Sequence, residues 1–224
     1  MIPWEEIDRA DVPGGEGEVI LRKRGTEFSI RTDTTELMNS RLHGAEDALA
    51  ELTCNRIARK KQHRILIGGL GMGYTLAAAL QYSEADSLVT VVELIPAVVR
   101  WNREHLGHLA GNPLDDGRVS VLEEDVAAII SSKKSTWDAI LLDVDNGPDG
   151  LTRQANDRIY GMGGLQKAFR ALRPGGILSI WSSGADERFT RRLNQCQFQT
   201  ENVAVRARKS GKGSRHTIWL AAKC

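Results

Sequence analysis

The stretch "RILIGGLGMGYTLAAAL", Arg64 to Leu80, decides the fold. An apolar run meets four glycines and then an alanine-rich segment, the pattern of a strand, a tight turn and a helix. Glycine lets the backbone turn sharply and approach a ligand, and the first turn of a helix offers free N–H groups. Gly69, Gly71 and Gly73 form GxGxG. A dinucleotide-binding turn wants a third glycine three residues further on. Starting from Gly71 that place is Leu76, and starting from Gly68 the set is Gly68, Leu70 and Gly73, so neither register gives the fingerprint.

Outward from this turn, short apolar runs alternate with helical stretches: "RILIGG", "SLVTVVEL", "RVSVLEED", "WDAILLDV" and "GGILSIWS". Runs rich in Ile, Val and Leu suit strands covered on both faces, and the alternation suits a parallel sheet with right-handed crossovers. The expectation is an α/β, doubly wound, Rossmann-like sheet. "ENVAVRAR" and "HTIWLAAK" alternate about "KSGKGSR" and predict a C-terminal antiparallel hairpin. Upstream, "EVILRKRGTEFSIR" predicts strands over Val19 to Lys23 and Glu27 to Arg31, a short N-terminal hairpin after a polar leader. Ala45, Ala48, Leu49, Leu52 and Ile57 recur at helical spacing. We therefore divide the chain into a leader and hairpin segment, 1–44, and a nucleoside-binding catalytic domain, 45–224.

Composition narrows the function classes. The 30 basic and 29 acidic residues among 224 leave a net charge of +1, so no global field draws the chain to nucleic acid or an anionic membrane. The N-terminus is acidic without an apolar core of signal length, and nowhere do about 18 apolar residues run together. A cytoplasmic protein without a membrane partner is expected. Cys54, Cys196 and Cys224 are scattered, which argues against a disulfide framework and a thiolate metal site.

Acids fall where open α/β sheets place their ligands, at the carboxyl ends of strands. Glu93 ends "VTVVEL" twenty residues beyond Gly73, the distance at which a carboxylate accepts from ribose hydroxyls. Asp125 in "VLEEDVAAII" suits a helix N-cap; the tighter GxGxG resembles the first motif of the class I methyltransferase fold, whose ligand is a nucleoside sulfonium without phosphates, and that resemblance would set Asp125 against the exocyclic amine of adenine. "WDAILLDVDNGPDGL" ends a strand with Asp143 and Asp145 in a turn whose Asp, Asn and Gly also have local reasons to be there.

Together these residues resemble the spermidine synthase (polyamine aminopropyltransferase) family. "GTEFSIRTDTTELMNSRLHGAEDALAEL" is similar to its substrate-gating segment, "RILIGGLGMG" to its glycine motif, and "VTVVELIPAVV" to its ribose-binding strand end. "WDAILLDVDNGP" resembles the strand with the catalytic aspartate, and "NDRIYGMGGLQKAFRALRPGGIL" the tyrosine-containing segment that follows. The resemblance implies Asp143 as the catalytic carboxylate, assisted by Asp145 and by Tyr160 lining the amine site. It implies Glu46 as an amine-binding glutamate with Asn146 beside it, and Glu93 and Asp125 as ribose and adenine ligands. The co-substrate would be S-adenosylmethionine or its decarboxylated form, with no metal. The partner would be a small amine or another nucleophilic acceptor, and by analogy the protein would be a homodimer. Met72, Ile95 and Asn146 stand where the family carries acids.

Trp181 follows the fifth run of the sheet, at an edge where an acceptor could lie, and is read equally as a core residue. His105 and His108 are three apart on an expected helix with no third ligand nearby, so a solvated face is favoured over a metal. "RKSGKGSRH" is read as a solvated turn rather than an RNA contact, for want of interleaved aromatics. Three functions are weighed: aminopropyl transfer, methyl transfer on the same fold, favoured by Met72, and a non-catalytic nucleoside- or RNA-binding module.

Overall fold

A computed structural model of the chain describes residues 2–14, 17–57, 61–144, 158–206 and 215–224. Two sheets organise it. The larger has seven strands in the order β10-β11-β9-β8-β5-β6-β7. Its central members are β5 (Arg64–Gly68), β6 (Leu88–Val92), β7 (Val119–Leu122), β8 (Trp137–Leu142) and β9 (Leu172–Ser182), all parallel. The expected hairpin, β10 (Gln199–Arg206) and β11 (Arg215–Ala222), adds antiparallel to β9. The basic turn between these strands lies outside the described residues.

Both faces of the parallel strands are covered, as their unbroken apolar runs require. Ile65, Ile67, Ala139 and Leu141 pack on one side with α1 (Gly44–Cys54), α2 (Tyr74–Tyr82) and α3 (Pro96–Trp101). Leu66, Ile140 and Leu142 pack on the other with α4 (Val126–Ser132), α5 (Met162–Ala171) and α6 (Glu187–Gln195). A buried hydrogen bond of 2.6 Å between the Thr53 and Ser179 hydroxyls fixes α1 to β9.

From β5 the chain winds one way through β6 and β7, then returns to place β8 on the other side of β5. This reversal opens a crevice at the carboxyl ends of β5 and β8, where doubly wound folds take their ligands. The glycine turn closes its floor. Gly69 adopts φ +91°, and a Cβ there would sit 2.5 Å from the carbonyl oxygen of Asp143.

The second sheet departs from expectation. The expected hairpin, now β2 (Glu18–Arg24) and β3 (Glu27–Arg31), is the middle of a four-stranded antiparallel sheet completed by β1 (Glu5–Asp11) and β4 (Glu36–Asn39). The outer strands carry few apolar residues, so the alternation that marks a strand is weak in them. Tertiary contacts hold β1 instead: Asp8 accepts from the indole N–H of Trp101 at 2.7 Å and from Arg100 at 2.6 Å. Val19, Leu21, Phe28 and Ile30 pack into the same core as α1 to α3. The segment after α3 also differs from the regular helix expected around His105 and His108. It is a π turn, Asn102–Leu106, followed by a 3-10 turn, Gly107–Ala110, and His108 meets the Phe28 ring edge-on at 5.9 Å. Among the described residues no helix is long and apolar enough to cross a membrane.

Gly69→Ala should lower the unfolding free energy by at least about 2 kcal/mol, from the disallowed φ and the clash with a backbone oxygen that cannot rotate away. Urea denaturation measures it, and an unchanged midpoint would show that the turn is not constrained as described.

Candidate active site at the sheet switch point

Glu93, at the end of β6, is almost wholly buried. One carboxylate oxygen accepts from the backbone N–H of Leu70 and the other from that of Ile95, each at 2.9 Å. It thus ties the glycine turn to the start of α3. Burial pushes its pKa up, opposed by these backbone donors. The backbone N–H groups of Gly71 and Leu94 also face this carboxylate.

Asp125 is the N-cap of α4, accepting from the Ala127 N–H at 2.7 Å. Its other oxygen pairs with Arg158 at 2.8 Å. An adenine amine arriving there would share the carboxylate with an arginine.

Asp143 follows the last residue of β8. Its backbone N–H donates to the Gly68 carbonyl at 3.0 Å, and its side chain accepts from the Thr75 hydroxyl at 2.6 Å. Thr75 is in the first turn of α2, directly after the glycines, so the glycine turn also aims the carboxylate. Facing it is Glu46, in the first turn of α1. Burial, then the charge of Asp143, pushes Glu46 up to about 8, and burial also raises Asp143 against the Thr75 hydrogen bond. Two half-buried carboxylates held together cannot both ionise cheaply, so the site receives a cation or keeps a proton.

Around this pair lies a wall with no single-residue signal in the sequence. The Tyr74 ring stacks on His43 at 4.2 Å, and its hydroxyl donates to the Ser40 carbonyl at 3.1 Å. Burial, with the charges of Glu46 and Asp47, pushes Tyr74 up to about 12. Met38 of β4 covers Gly71, where an added Cβ would meet its sulfur at 2.8 Å. The signal for Thr75 and Tyr74 was their place just after GxGxG; Met38 and His43 lie in the stretch similar to the substrate-gating segment, with nothing there to single either out.

Other expected residues are placed differently. Tyr160 is 1% exposed in the core on the opposite face of the sheet, edge-on to Phe189, and its hydroxyl lies 3.4 Å from the Val144 carbonyl. It therefore supports the strand end that carries Asp143. Trp181 lies on the face of β9 that meets α1 and α2. Met72 is fully buried and packs in the core, and Ile95 packs beside it. Asp145 and Asn146 lie outside the described residues. Among those described, no cluster of three or more His, Cys, Asp or Glu could hold a metal.

Comparison with known proteins agrees with this geometry. A family model described as the spermine/spermidine synthase domain matches residues 45–203. Polyamine aminopropyltransferase 2 of Pseudomonas aeruginosa is 31% identical over 130 residues, 55% of this chain and 34% of that one. The polyamine aminopropyltransferase of Korarchaeum cryptofilum is 24% identical over 150 residues, 67% of this chain and 43% of that one. The chain thus spans well under half the length of these relatives. Spermidine synthase of Thermotoga maritima superposes with a TM-score of 0.74 at 15% identity, covering 98% of this chain and 73% of that one. A spermidine synthase in complex with the transition-state analogue AdoDATO superposes equally well, at 16% identity over 98% of this chain and 72% of that one.

The raised carboxyl of Glu46 has a signed consequence for stability. An acid whose folded pKa lies above its unfolded value costs nothing below the latter, and its penalty grows until the folded value is passed. Between about pH 4.5 and 8, then, the free protein should lose stability relative to Glu46→Gln, by roughly 2–4 kcal/mol across the window. Urea unfolding of both proteins at pH 5, 6.5 and 8 tests this, and a pH-independent difference would contradict it. The sheet order, the glycine turn, the carboxylate pair and the match over residues 45–203 lead to one assignment: the chain belongs to the spermine/spermidine synthase family.

Proposed function

We propose that the chain transfers an aminopropyl group from decarboxylated S-adenosylmethionine to an amine. The observation that carries this reading is the pairing of Glu46 with Asp143 at the end of β8, beside the glycine turn. Glu93 would accept from the ribose hydroxyls and Asp125 would meet the adenine amine. Asp143, aimed by Thr75, would face the acceptor nitrogen, with Glu46 holding the same amine from α1.

The chemistry is a displacement. The acceptor nitrogen forms a bond to the propyl carbon on sulfur, the carbon–sulfur bond breaks with its electron pair going to sulfur, and a thioether nucleoside leaves. The nitrogen then carries a surplus proton, which Asp143 takes and passes towards solvent through Glu46. No metal is needed, because the sulfonium already makes sulfur a good leaving group. The protein's contribution is alignment in a site shielded from water, together with proton removal. Asp145 and Asn146 are proposed to assist in the turn that follows, and Tyr160 to hold that turn in place.

The segment 1–44 is proposed as a cover for the acceptor side, through Met38 and Ser40, and 45–224 as the catalytic unit. A homodimer and a cytoplasmic location are proposed by analogy with the family. The relatives named as aminopropyltransferases support this reading over methyl transfer. Methyl transfer from intact S-adenosylmethionine keeps one specific observation in its favour: Met72, at the family's acidic position in the glycine turn, is buried in the core. The third reading, a non-catalytic nucleoside- or RNA-binding module, has only the basic stretch 208–216 in its favour, most of which lies outside the described residues.

Calorimetry with methylthioadenosine, S-adenosylmethionine and its decarboxylated form separates the readings. The decarboxylated compound and methylthioadenosine should bind, and a clear preference for intact S-adenosylmethionine would overturn the proposal. Asp143→Asn should lower kcat by at least about 100-fold while leaving nucleoside affinity within about threefold. Undiminished turnover would remove Asp143 from the chemistry.

A further inference from the structure

The glycine turn is pinned from two sides at Gly71. The N–H groups of Leu70 and Gly71 face the Glu93 carboxylate. The Gly71 carbonyl receives the side chain of Asn102, whose Nδ2 donates to it at 2.7 Å and to the Val98 carbonyl at 2.9 Å. Two carbonyls around one amide group settle which of its atoms is the nitrogen. Val98 does not depend on this bond, because the backbone N–H of Asn102 donates to the same carbonyl. The bond to Gly71 is therefore the one that joins separate segments.

Asn102 reaches this place from an irregular backbone. It opens the π turn Asn102–Leu106, in which the Gly107 N–H donates to the Asn102 carbonyl five residues back. A Cβ at Gly107 would stand 2.6 Å from that carbonyl oxygen, so the turn closes on a glycine. Such turns are rare and are found disproportionately at functional sites. The glycine turn also rests against the same side chain, since a Cβ at Gly73 would meet Asn102 Oδ1 at 3.2 Å and Pro113 at 3.1 Å. Asn102 is 2% exposed, and its Oδ1 has no hydrogen-bond partner among the described residues, which costs stability. Leucine has nearly the same shape and would not carry that cost, so stability alone does not account for an amide here.

Resting on the function proposed above, we infer that Asn102 is a positioning residue for the co-substrate nucleoside, acting through the Gly71 carbonyl. It holds the turn in the one geometry in which Glu93 keeps its backbone donors, so that the ribose meets a carboxylate already oriented. Asn102 itself is closed off beneath the turn and touches no ligand.

The test is calorimetric titration of the full chain with methylthioadenosine, alongside steady-state kinetics with decarboxylated S-adenosylmethionine and 1,4-diaminobutane. Asn102→Leu should lower methylthioadenosine affinity at least about tenfold. The KM for the co-substrate should rise in the same ratio, with kcat and the KM for the amine within about threefold of wild type. The urea midpoint should change little, because the unpartnered oxygen leaves with the donor. An unchanged affinity overturns the inference, as does a loss shared equally by kcat and the amine KM. If Asn102→Leu does not fold, Gly107→Ala decides, since its Cβ displaces the Asn102 carbonyl without altering the side chain. It should weaken methylthioadenosine at least about threefold, and an unchanged affinity overturns the inference. A wild-type chain that binds no methylthioadenosine brings down the nucleoside reading and this inference with it, whereas wild-type binding that both substitutions leave intact sinks the inference alone.

Discussion

Two half-buried carboxylates that face each other constrain the rest of this site. Glu46 reaches the crevice from the first turn of α1 and Asp143 from the end of β8, and each raises the cost of ionising the other. Folding alone gains nothing from such an arrangement, since an apolar pair in the same place would pack at no electrostatic cost. The fold thus holds a partly unfavourable charge arrangement that a cation would relieve.

Rigid elements hold the pair together. Asp143 is fixed at its backbone by Gly68 and at its side chain by Thr75, so the glycine turn and the carboxylate cannot move independently. Glu93 fastens the same turn from the other side through the Leu70 N–H. The Thr53 to Ser179 hydrogen bond fixes α1, and with it Glu46, to the strand that carries Trp181. The glycine turn, the carboxylate pair and α1 therefore share one framework.

Much of this was legible in the sequence because it is local. Unbroken apolar runs announced the parallel strands, GxGxG the turn, and the acids at strand ends Glu93, Asp125 and Asp143. What escaped depends on contacts between distant segments. Strands β1 and β4 are polar and are held by partners such as Trp101, which no local period encodes. Met72 was noted as a missing acid, yet its burial in the core could not be read from its position in the turn. Tyr160 shared a segment with the site but points to the opposite face of the sheet. Asp145 and Asn146 lie outside the described residues.

The account stands or falls on whether the carboxylate pair is a cation receptor. Carbon-13 NMR of labelled Glu and Asp side chains, titrated with pH, follows the pair directly through its macroscopic pKa values. We predict one apparent pKa near 8 in the free protein, assigned through Glu46→Gln, falling when methylthioadenosine and an amine are both bound. Carboxyl groups that titrate in the ordinary range for Glu and Asp, with no response to the amine, would contradict the account.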